Sequence, residues 1–484
     1  MSGAKTPSVY RFCDTASGAL ILFMIVWAPW AFGCTVSWAI WTLCGGAYTL
    51  GLLLAVKGFL RWRNDYTPER WASPTPVGTW AVRLLATLTV LMLAYVLVSW
   101  INARATLEFP RRAIDGVQIR YHDRSPLTWL PSTYDAPRTL RAFWRYLALA
   151  LGFWATRDWL LGKTRSERRD DTPRPFPPAR LRRLLWTLSI SSAVLALVGI
   201  VQRLDGTDKL LWILKPVIMN TAFGPYNYRT NAAQYFNLVW PVALGFWWAL
   251  RKAHLEEEEA GSVRGSGAYI MLIPCVVLMA ACPIISTSRG GSLILAGQFL
   301  GSLGILAFAQ GKSSLLKRLA GIAVLGLGLG LGWFLGGEAL QERFKTVFTD
   351  RMSGRLDLYE VGYRMAKDAG PWGTGAETFT GLYSLYRTNT DAIWEAFCHN
   401  DWLETRITFG WLGFSILILM LILVPVMHTT HKGLRPPREF TLLLLLALVG
   451  CLIHARFDFP LQMYSLIYLF LTLTATLTTC AGKE

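Results

Sequence analysis

The sequence predicts an all-α polytopic membrane protein, because it is poor in charge and its apolar residues are grouped in long blocks. Of the 484 residues, 53% are hydrophobic and only 16% are charged, whereas a soluble domain carries roughly 25% charged residues. Blocks of about 20 apolar residues are long enough to cross the hydrocarbon core of a bilayer. Backbone polar groups in a bilayer must be satisfied within the protein, so we expect the blocks to be helices.

About twelve of these blocks are candidate transmembrane helices. One long polar segment, 338–408, interrupts the series, and a connection of that length usually carries short helices of its own. The apolar residues of 353–369 have amphipathic helical spacing, which places one of these helices. The candidate spans cover residues 18–33, 36–60, 79–102, 142–162, 184–202, 231–250, 269–287, 291–311, 319–337, 409–427, 440–455 and 462–480.

The distribution of Lys and Arg predicts the orientation of the chain. The connections 61–70, 163–183, 312–318 and 432–438 are basic, and an even number of spans separates each from the next. Basic connections face the cytoplasm, so both termini are predicted to be cytoplasmic. The net charge of +17 is concentrated in such connections, and we therefore expect no nucleic acid partner.

One outer connection departs from this rule. Residues 103–141 carry seven arginines and four acidic residues, and this basic excess is compatible with an anionic substrate. We divide the chain into an N-terminal membrane region, 1–183, with about four spans, the outer loop 103–141 and the basic cytosolic loop 163–183. Residues 184–484 are predicted to form a second membrane region, with about eight spans and the large outer loop 338–408.

Three polar residues are predicted to share the outer face. Arg229 lies in FGPYNYRTNAAQYF before the sixth span, Arg289 lies in STSRGG between the seventh and eighth spans, and His399 lies in FCHNDWLETRITFGWLG before the tenth. Each has an ordinary interpretation alone, since arginines near span ends often extend to the headgroups and a histidine at a helix start often caps or packs. Charge at membrane depth usually faces a cavity or a partner, however, and the three together favour a functional site.

The chemistry of these side chains predicts transfer from a phosphate-activated donor to a hydroxyl acceptor. The planar arginine fork matches two phosphate oxygens at once. A histidine, with an ordinary pKa of about 6.5, can accept a proton from a hydroxyl group near neutral pH. The sequence has no P-loop, so the donor must arrive already activated.

Several stretches resemble the O-antigen ligase and polymerase superfamily, which comprises glycan transferases of the bacterial inner membrane. The resemblance runs from about residue 185 to the C-terminus, and its motifs share one order and one face. They are LVGIVQRLDGTDKLLWI at 197–213, GPYNYRTNAAQYFNLVWPVALG at 224–245, STSRGG at 286–291, SGRLDLYEVGYRMAKDAGPWGTGAETF at 353–379, HNDWLETRITFGWLG at 399–413 and HARFDFPLQM at 454–463.

The resemblance implies a periplasmic active site that uses an undecaprenyl-diphosphate-linked glycan as donor. His399 would be the general base on the acceptor hydroxyl, and Arg229 and Arg289 would bind the diphosphate. The acceptor would be a glycan, a lipid A core or another hydroxyl compound, as in lipopolysaccharide or exopolysaccharide synthesis. The family uses neither a metal nor another cofactor, and a single base implies inversion at the sugar carbon.

Further residues of the matching motifs are second-tier candidates. Asn231 matches an asparagine of the family motif, although Tyr228 stands where the family often has asparagine. Arg355 and Arg364 would contact diphosphate or glycan, unless they belong to a solvated helix face.

The last group of candidates lies around His399 and in the final outer connection. Asn400 and Asp401 would orient the acceptor or cap the following helix. Asp458 would support the site, or form a structural ion pair with Arg456.

Three functional classes are compatible with this reading. A glycan transferase is favoured, and the sequence does not separate a ligase from a repeat-unit polymerase or a protein glycosyltransferase. A polytopic transporter or flippase of lipid-linked saccharides would predict charges inside spans and internal repeats, and mid-span charges are scarce. A scaffold would leave Arg229, Arg289 and His399 unexplained.

Overall fold

A computed structural model describes most of the chain. The described residues are 6–109, 117–123, 126–169, 175–207, 209–215, 222–259, 267–308, 315–345, 354–387, 397–480 and 482. Fifteen α-helices lie within these ranges, and each predicted span overlaps one of them. They are α1 (Ser8–Trp30), α2 (Ser37–Arg63), α3 (Pro76–Ile101), α4 (Ala136–Leu161), α5 (Arg165–Arg169), α6 (Ala179–Asp205), α7 (Arg229–Glu259), α8 (Leu272–Ile285), α9 (Arg289–Ala307), α10 (Leu315–Lys345), α11 (Arg355–Asp368), α12 (Phe379–Tyr386), α13 (Asp401–Thr430), α14 (Arg438–His454) and α15 (Tyr464–Thr479).

The length and apolarity of these helices confirm an all-α polytopic membrane protein. Eight helices of the described chain are long and apolar enough to cross a bilayer, namely α1, α2, α3, α6, α8 with the 3-10 turn Gly267–Met271 before it, α9, α10 and α13. Helix α15 is a shorter apolar helix. The total of twelve spans stays a prediction.

The two ends of the helix bundle can be told apart by the turn between α1 and α2. This 3-10 turn, Phe32–Cys34, packs so closely on the segment before α7 that a Cβ on Gly33 would lie 2.7 Å from the Tyr226 ring. We call this the outer end. The opposite end, which holds Ser8 and Arg63, is the inner end, and the 27 residues of α2 separate the two by about 40 Å.

A stripe of glycines joins α8 and α10. A Cβ on Gly328 would lie 3.0 Å from the Ala280 Cβ, and a Cβ on Gly336 would lie 2.6 Å from the Ile285 Cα. Gly332 faces α8 in the same way, whereas Gly326 and Gly330 face open space. The glycines four residues apart therefore let the two backbones approach closely.

Two short antiparallel ribbons tie connections together. At the inner end, β1 (Ala72–Pro74) pairs with β4 (His431–Gly433), with Ala72 opposite Gly433. At the outer end, β2 (Ala105–Glu108) pairs with β3 (Gln118–Tyr121), with Ala105 opposite Tyr121.

The large outer loop carries short helices, as predicted. Helix α11 covers most of the amphipathic segment 353–369, and α12 follows it. The loop also proves shorter than 338–408, since α10 continues to Lys345 and α13 begins at Asp401.

The two outer loops share one hydrophobic cluster, which forms a cap over the outer end. Leu107 of β2 packs with residues of α11, α12 and α13, namely Leu358, Val361, Met365, Phe379, Leu382 and Ile407. The predicted boundary between residues 183 and 184 falls within the first turns of α6, and the division into two regions stays a prediction.

The Gly-x-Gly motif at 373–375 attaches this cap to the bundle. Gly375 has a positive φ of 103°, and a Cβ there would lie 2.1 Å from the Thr133 hydroxyl oxygen. A Cβ on Gly373 would lie 2.4 Å from the Gly410 nitrogen, at the point where α13 is kinked by a Gly410 φ of 61°. Only glycine fits both positions, so the motif fixes the path of the loop that carries α11 to the site.

Candidate functional site

His399 is held in an unusual backbone conformation at the outer end, just before α13. Its φ of 51° lies in the left-handed region, which costs free energy for a non-glycine residue and often marks functional positions. The Tyr359 hydroxyl of α11 donates a 2.8 Å hydrogen bond to the His399 carbonyl. Helix α11 therefore braces the main chain of His399.

The imidazole of His399 contacts the carboxylate of Asp458. The His399 Nδ1 lies 3.1 Å from Asp458 Oδ1, and the Asp458 side chain is only 1% exposed. The Arg355 Nη2 donates to the other carboxylate oxygen at 2.8 Å. An ionised carboxylate is acceptor-only, so Nδ1 is the protonated nitrogen of a neutral His399 and Nε2 carries the lone pair.

The charges of this group stabilise one another. Burial by itself raises the pKa of Asp458, but Arg355 and the hydrogen bond with His399 outweigh it and hold the pKa well below its usual range. Burial by itself lowers the pKa of Arg355, yet Asp458 and the oxygens of Tyr228 and Tyr359 raise it above its usual value. Both groups are therefore charged at neutral pH.

Aromatic rings enclose His399. The His399 ring meets Phe459 edge to face at a centroid distance of 4.6 Å, and Tyr228 stacks on Phe459 at 5.4 Å. The Tyr228 hydroxyl accepts a 3.1 Å hydrogen bond from Arg355 and donates a 3.4 Å hydrogen bond to Asp458. These contacts fix the acid–base corner, which we define as His399, Asp458, Arg355 and Tyr228.

Three polar residues brace the start of α13. Asn400 is the N-cap, and its side chain accepts a 3.2 Å hydrogen bond from the Leu403 N–H. Asp401 accepts one of 2.8 Å from the Leu461 N–H, which ties α13 to the last outer connection. Glu404 accepts one of 2.8 Å from the Cys398 N–H. Asn400 thus caps α13, and Asp401 holds it against the last outer connection.

Arg289 is the first residue of α9, and the turn before it is built for close packing. The Ser288 hydroxyl caps the helix by accepting a 3.1 Å hydrogen bond from the Gly291 N–H. A Cβ on Gly290 would lie 3.0 Å from the His454 Nε2, and one on Gly291 would lie 2.3 Å from the Ala233 Cβ. The two glycines therefore press the turn against α7 and α14 and fix the position of Arg289.

Arg289 and Arg343 are linked through main-chain oxygens. The Arg289 Nη1 donates a 3.1 Å hydrogen bond to the Arg343 carbonyl, and the Arg343 Nη1 donates one of 2.6 Å to the Thr287 carbonyl. Arg229 lies in the same electrostatic environment, because burial and then the charges of Arg343, Arg203 and Arg289 lower its pKa to about 10. We call Arg229, Arg289 and Arg343 the arginine corner.

Three consecutive residues join the two corners. Tyr228 belongs to the acid–base corner, and Arg229 follows it in the arginine corner. The Thr230 hydroxyl oxygen lies 3.3 Å from that of Ser288, which caps the helix of Arg289. The three residues predicted to share the outer face are therefore brought together at one site.

The structure separates the second-tier candidates. Arg355 enters the site, but Arg364 is exposed and nine residues further along α11, which is half a turn around the helix. Asn231 is buried in the first turn of α7. Asp458 pairs with Arg355 and His399, while Arg456 donates to the Tyr363 hydroxyl at 3.3 Å.

Two residues of the site were missed by the sequence analysis. Arg343 lies at the end of α10, where a basic residue is ordinary because it complements the helix dipole. Tyr228 was considered only as a departure from the family motif. Neither the residue type nor its spacing in the sequence indicates that Arg343 and Tyr228 belong to the site.

Comparison with known proteins gives one result. Residues 274–418 match the O-Antigen ligase family, from α8 into α13. The match includes Arg289, Arg355 and His399, and Arg229 and Asp458 lie on either side of it. No curated protein and no solved structure matches the chain. Residues 274–418 therefore match the O-antigen ligase family, which supports the resemblance of the chain to the O-antigen ligase and polymerase superfamily.

Proposed function

We propose that the protein transfers a glycan from an undecaprenyl-diphosphate-linked donor to a hydroxyl acceptor, as a ligase or a repeat-unit polymerase. The observation that supports this most is the pairing of His399 with Asp458 next to the arginine corner. A base and a set of cations are what a displacement at a sugar carbon requires when the leaving group is a diphosphate.

His399 acts as the general base in this proposal. Asp458 accepts the Nδ1–H, so Nε2 is the ring nitrogen that can accept a proton. As the acceptor oxygen bonds to the anomeric carbon, its proton passes to Nε2. The Asp458 carboxylate then stabilises the imidazolium that forms, a pairing that recurs in unrelated enzymes.

The arginine corner binds the diphosphate and stabilises the leaving group. When the bond between the anomeric carbon and the diphosphate oxygen breaks, the electron pair stays on that oxygen. Arg289 is the first residue of α9 and Arg229 the first of α7, so the positive ends of two helix dipoles add to their charges. This charge meets the need that a metal ion would otherwise meet, and we propose a metal-independent reaction.

One displacement at the anomeric carbon inverts its configuration. His399 activates the acceptor on one side of the sugar carbon, and the diphosphate leaves from the other side. One step is therefore enough for the transfer. We propose that the outer end faces the periplasm and that both termini are cytoplasmic, because the basic connection 61–70 lies at the inner end, where such loops face the cytoplasm.

The direct test is transfer by purified protein with a lipid-linked glycan donor and a hydroxyl acceptor. His399→Ala should lower the transfer rate by about 10²–10⁴-fold, the usual contribution of a general base. The matched control is His122→Ala, since His122 is an exposed histidine of the cap with a hydrogen bond to Thr106. If His399→Ala transfers glycan as fast as the control, His399 is not the base.

A deletion strain separates the two kinds of transferase. A polymerase deletion should leave single repeat units on the acceptor, whereas a ligase deletion should leave long chains on the lipid carrier and a bare acceptor. An unchanged glycan profile would contradict both and favour a transporter.

A further inference from the structure

A polar pocket lies at the inner end, far from the proposed catalytic site. It forms where α1, α2, α4 and α6 converge, together with the connection 64–70. Its lining is rich in cations and holds three acidic residues, Asp14, Glu69 and Asp158. The cationic lining residues are Arg11, Arg61, Arg70, Lys163, Arg168 and Arg180.

Two carboxylates neutralise the deep part of this pocket. Asp158 is paired with Lys57, which is fully buried, at 2.8 Å, and with Arg61, also at 2.8 Å. Asp14 accepts a hydrogen bond from Arg180 at 3.1 Å. Buried ion pairs of this kind need their partners, so these groups have a structural role in holding the four helices together.

Near the mouth of the pocket, Arg11 and Arg168 are not paired with Asp14 or Asp158. Arg168 donates to the Thr6 hydroxyl at 2.9 Å, and Arg11 is exposed. Cations that Asp14 and Asp158 do not neutralise make this part of the pocket suited to an anionic ligand.

The surroundings of the pocket indicate which kind of anionic ligand it suits. Four large apolar side chains on α1 and α2 are exposed near the pocket: Val9 (52%), Phe12 (70%), Phe59 (51%) and Trp62 (80%). Exposed aromatic side chains near the ends of apolar helices are typical of the membrane–water interface. A ligand bound here would therefore have its charge among the arginines and an apolar part along α1 and α2.

We propose that this pocket binds the phosphate headgroup of an anionic glycerophospholipid, with the acyl chains along α1 and α2. Basic pockets between helices at the cytoplasmic surface are suited to such headgroups. The phosphate oxygens accept hydrogen bonds from Arg11 and Arg168. This assigns a role to the N-terminal membrane region, in which a bound lipid fixes the inner ends of α1, α2, α4 and α6.

The test is thermal unfolding of the purified full-length protein in mixed micelles of detergent and phosphatidylglycerol. A ligand that binds only the folded state raises the unfolding temperature with its concentration. Arg11→Gln/Arg168→Gln removes two cations without removing a partner of Asp14 or Asp158. Each arginine near an anionic lipid contributes a factor of about five, so half-maximal stabilisation should need about 30-fold more lipid.

The matched control is Arg182→Gln/Arg183→Gln, two exposed arginines of α6 that do not line the pocket. This variant should respond to phosphatidylglycerol as the unmodified protein does. If phosphatidylglycerol stabilises both double variants as much as the unmodified protein, the proposal is wrong. It is also wrong if both double variants lose the same amount of this stabilisation. If the pocket double variant fails to fold, Arg11→Gln alone is measured, with an expected shift of about fivefold.

Two further arms identify the ligand. Phosphatidylcholine should stabilise the protein much less than phosphatidylglycerol. Inorganic phosphate at the same phosphate concentration should have little effect, and equal stabilisation by it would overturn the lipid assignment. None of these measurements involves glycan transfer, so their outcome is independent of the proposed function.

Discussion

The acid–base corner and the arginine corner lie side by side but are built on different principles. In the acid–base corner, charges alternate: the Asp458 carboxylate lies between the Arg355 guanidinium at 2.8 Å and the His399 imidazole at 3.1 Å. In the arginine corner, like charges are grouped, and main-chain oxygens orient Arg289 and Arg343.

This difference indicates at which stage of the proposed reaction each corner is most stable, before substrate binds or as the diphosphate leaves. The acid–base corner is already stabilised, because the pKa values of Asp458 and Arg355 both move in the direction that favours their charged forms. In the arginine corner the pKa of Arg229 falls to about 10, because burial and neighbouring arginines disfavour its charge. Negative charge that develops on a leaving diphosphate would relieve this repulsion, so the binding energy increases as the bond breaks.

The largest effect is expected from the centre of the acid–base corner. Asp458→Asn replaces one carboxylate oxygen by an NH2 donor, and with Arg355 on the remaining oxygen the donor faces His399 Nδ1 and favours the wrong tautomer. It also leaves Arg355 without its counter-ion, so the rate should fall about a hundredfold or more. A neighbouring anion favours the protonated imidazole, and its removal should therefore extend the neutral form to more acidic pH. The acid limb of the rate–pH profile should move to lower pH.

Steady-state rates of glycan transfer between pH 5 and 9 check this prediction. The control is Asp368→Asn, because Asp368 is an exposed carboxylate of α11 that accepts a hydrogen bond from Tyr386. A lower rate with an unmoved acid limb would mean that Asp458 only supports the fold, and the contrast between the two corners would lose its basis.

A smaller effect is expected in the arginine corner. Arg289→Lys keeps the charge but loses the planar fork. An ammonium group cannot bind two phosphate oxygens and at the same time donate a hydrogen bond to the Arg343 carbonyl. A hydrogen bond to a charged group contributes about 1.5–3 kcal/mol, so kcat/KM should fall about tenfold to a hundredfold. Unlike Asp458→Asn, this change should leave the pH profile where it is.

The measurement is kcat/KM for the lipid-linked donor, with Arg120→Lys as control. Arg120 pairs with Glu108 on the exposed outer ribbon, away from both corners. If Arg289→Lys is as active as the control, Arg289 serves only as an anchor near the headgroups.

Hydropathy and charge predicted more of the fold than of the site. Long apolar runs are a local signal, so each predicted span overlaps a helix. The end of α10 was placed in a loop because the residues after Gly337 are polar. Its last turns extend beyond the apolar run, and a hydropathy pattern cannot detect them.

The partners within the site depend on directions that the sequence does not contain. Arg355 and Arg364 both lie on α11, and only packing decides which face of that helix meets Asp458. The alternative partner Arg456 is two residues from Asp458, yet the contact is made with Arg355, about a hundred residues away. Pairing between distant segments had to be observed.

The smallest effect is expected at Tyr228, which touches the acid–base corner and precedes Arg229. Tyr228→Phe keeps the stacking on Phe459 and removes the hydroxyl, with its contacts to Arg355 and Asp458. Arg355 retains its 2.8 Å contact with Asp458. One net hydrogen bond contributes about 0.5–1.5 kcal/mol, so kcat/KM should fall about threefold to tenfold.

Tyr363→Phe is the matched control, because Tyr363 accepts a hydrogen bond from Arg456 on the exposed side of α11. It should change transfer less than Tyr228→Phe does. If Tyr228→Phe instead lowers the rate as much as Asp458→Asn, the hydroxyl couples the two corners and they act as one unit. If it lowers the rate no more than the control does, the ring alone matters, and the two corners are joined only by the chain that runs from Tyr228 to Arg229.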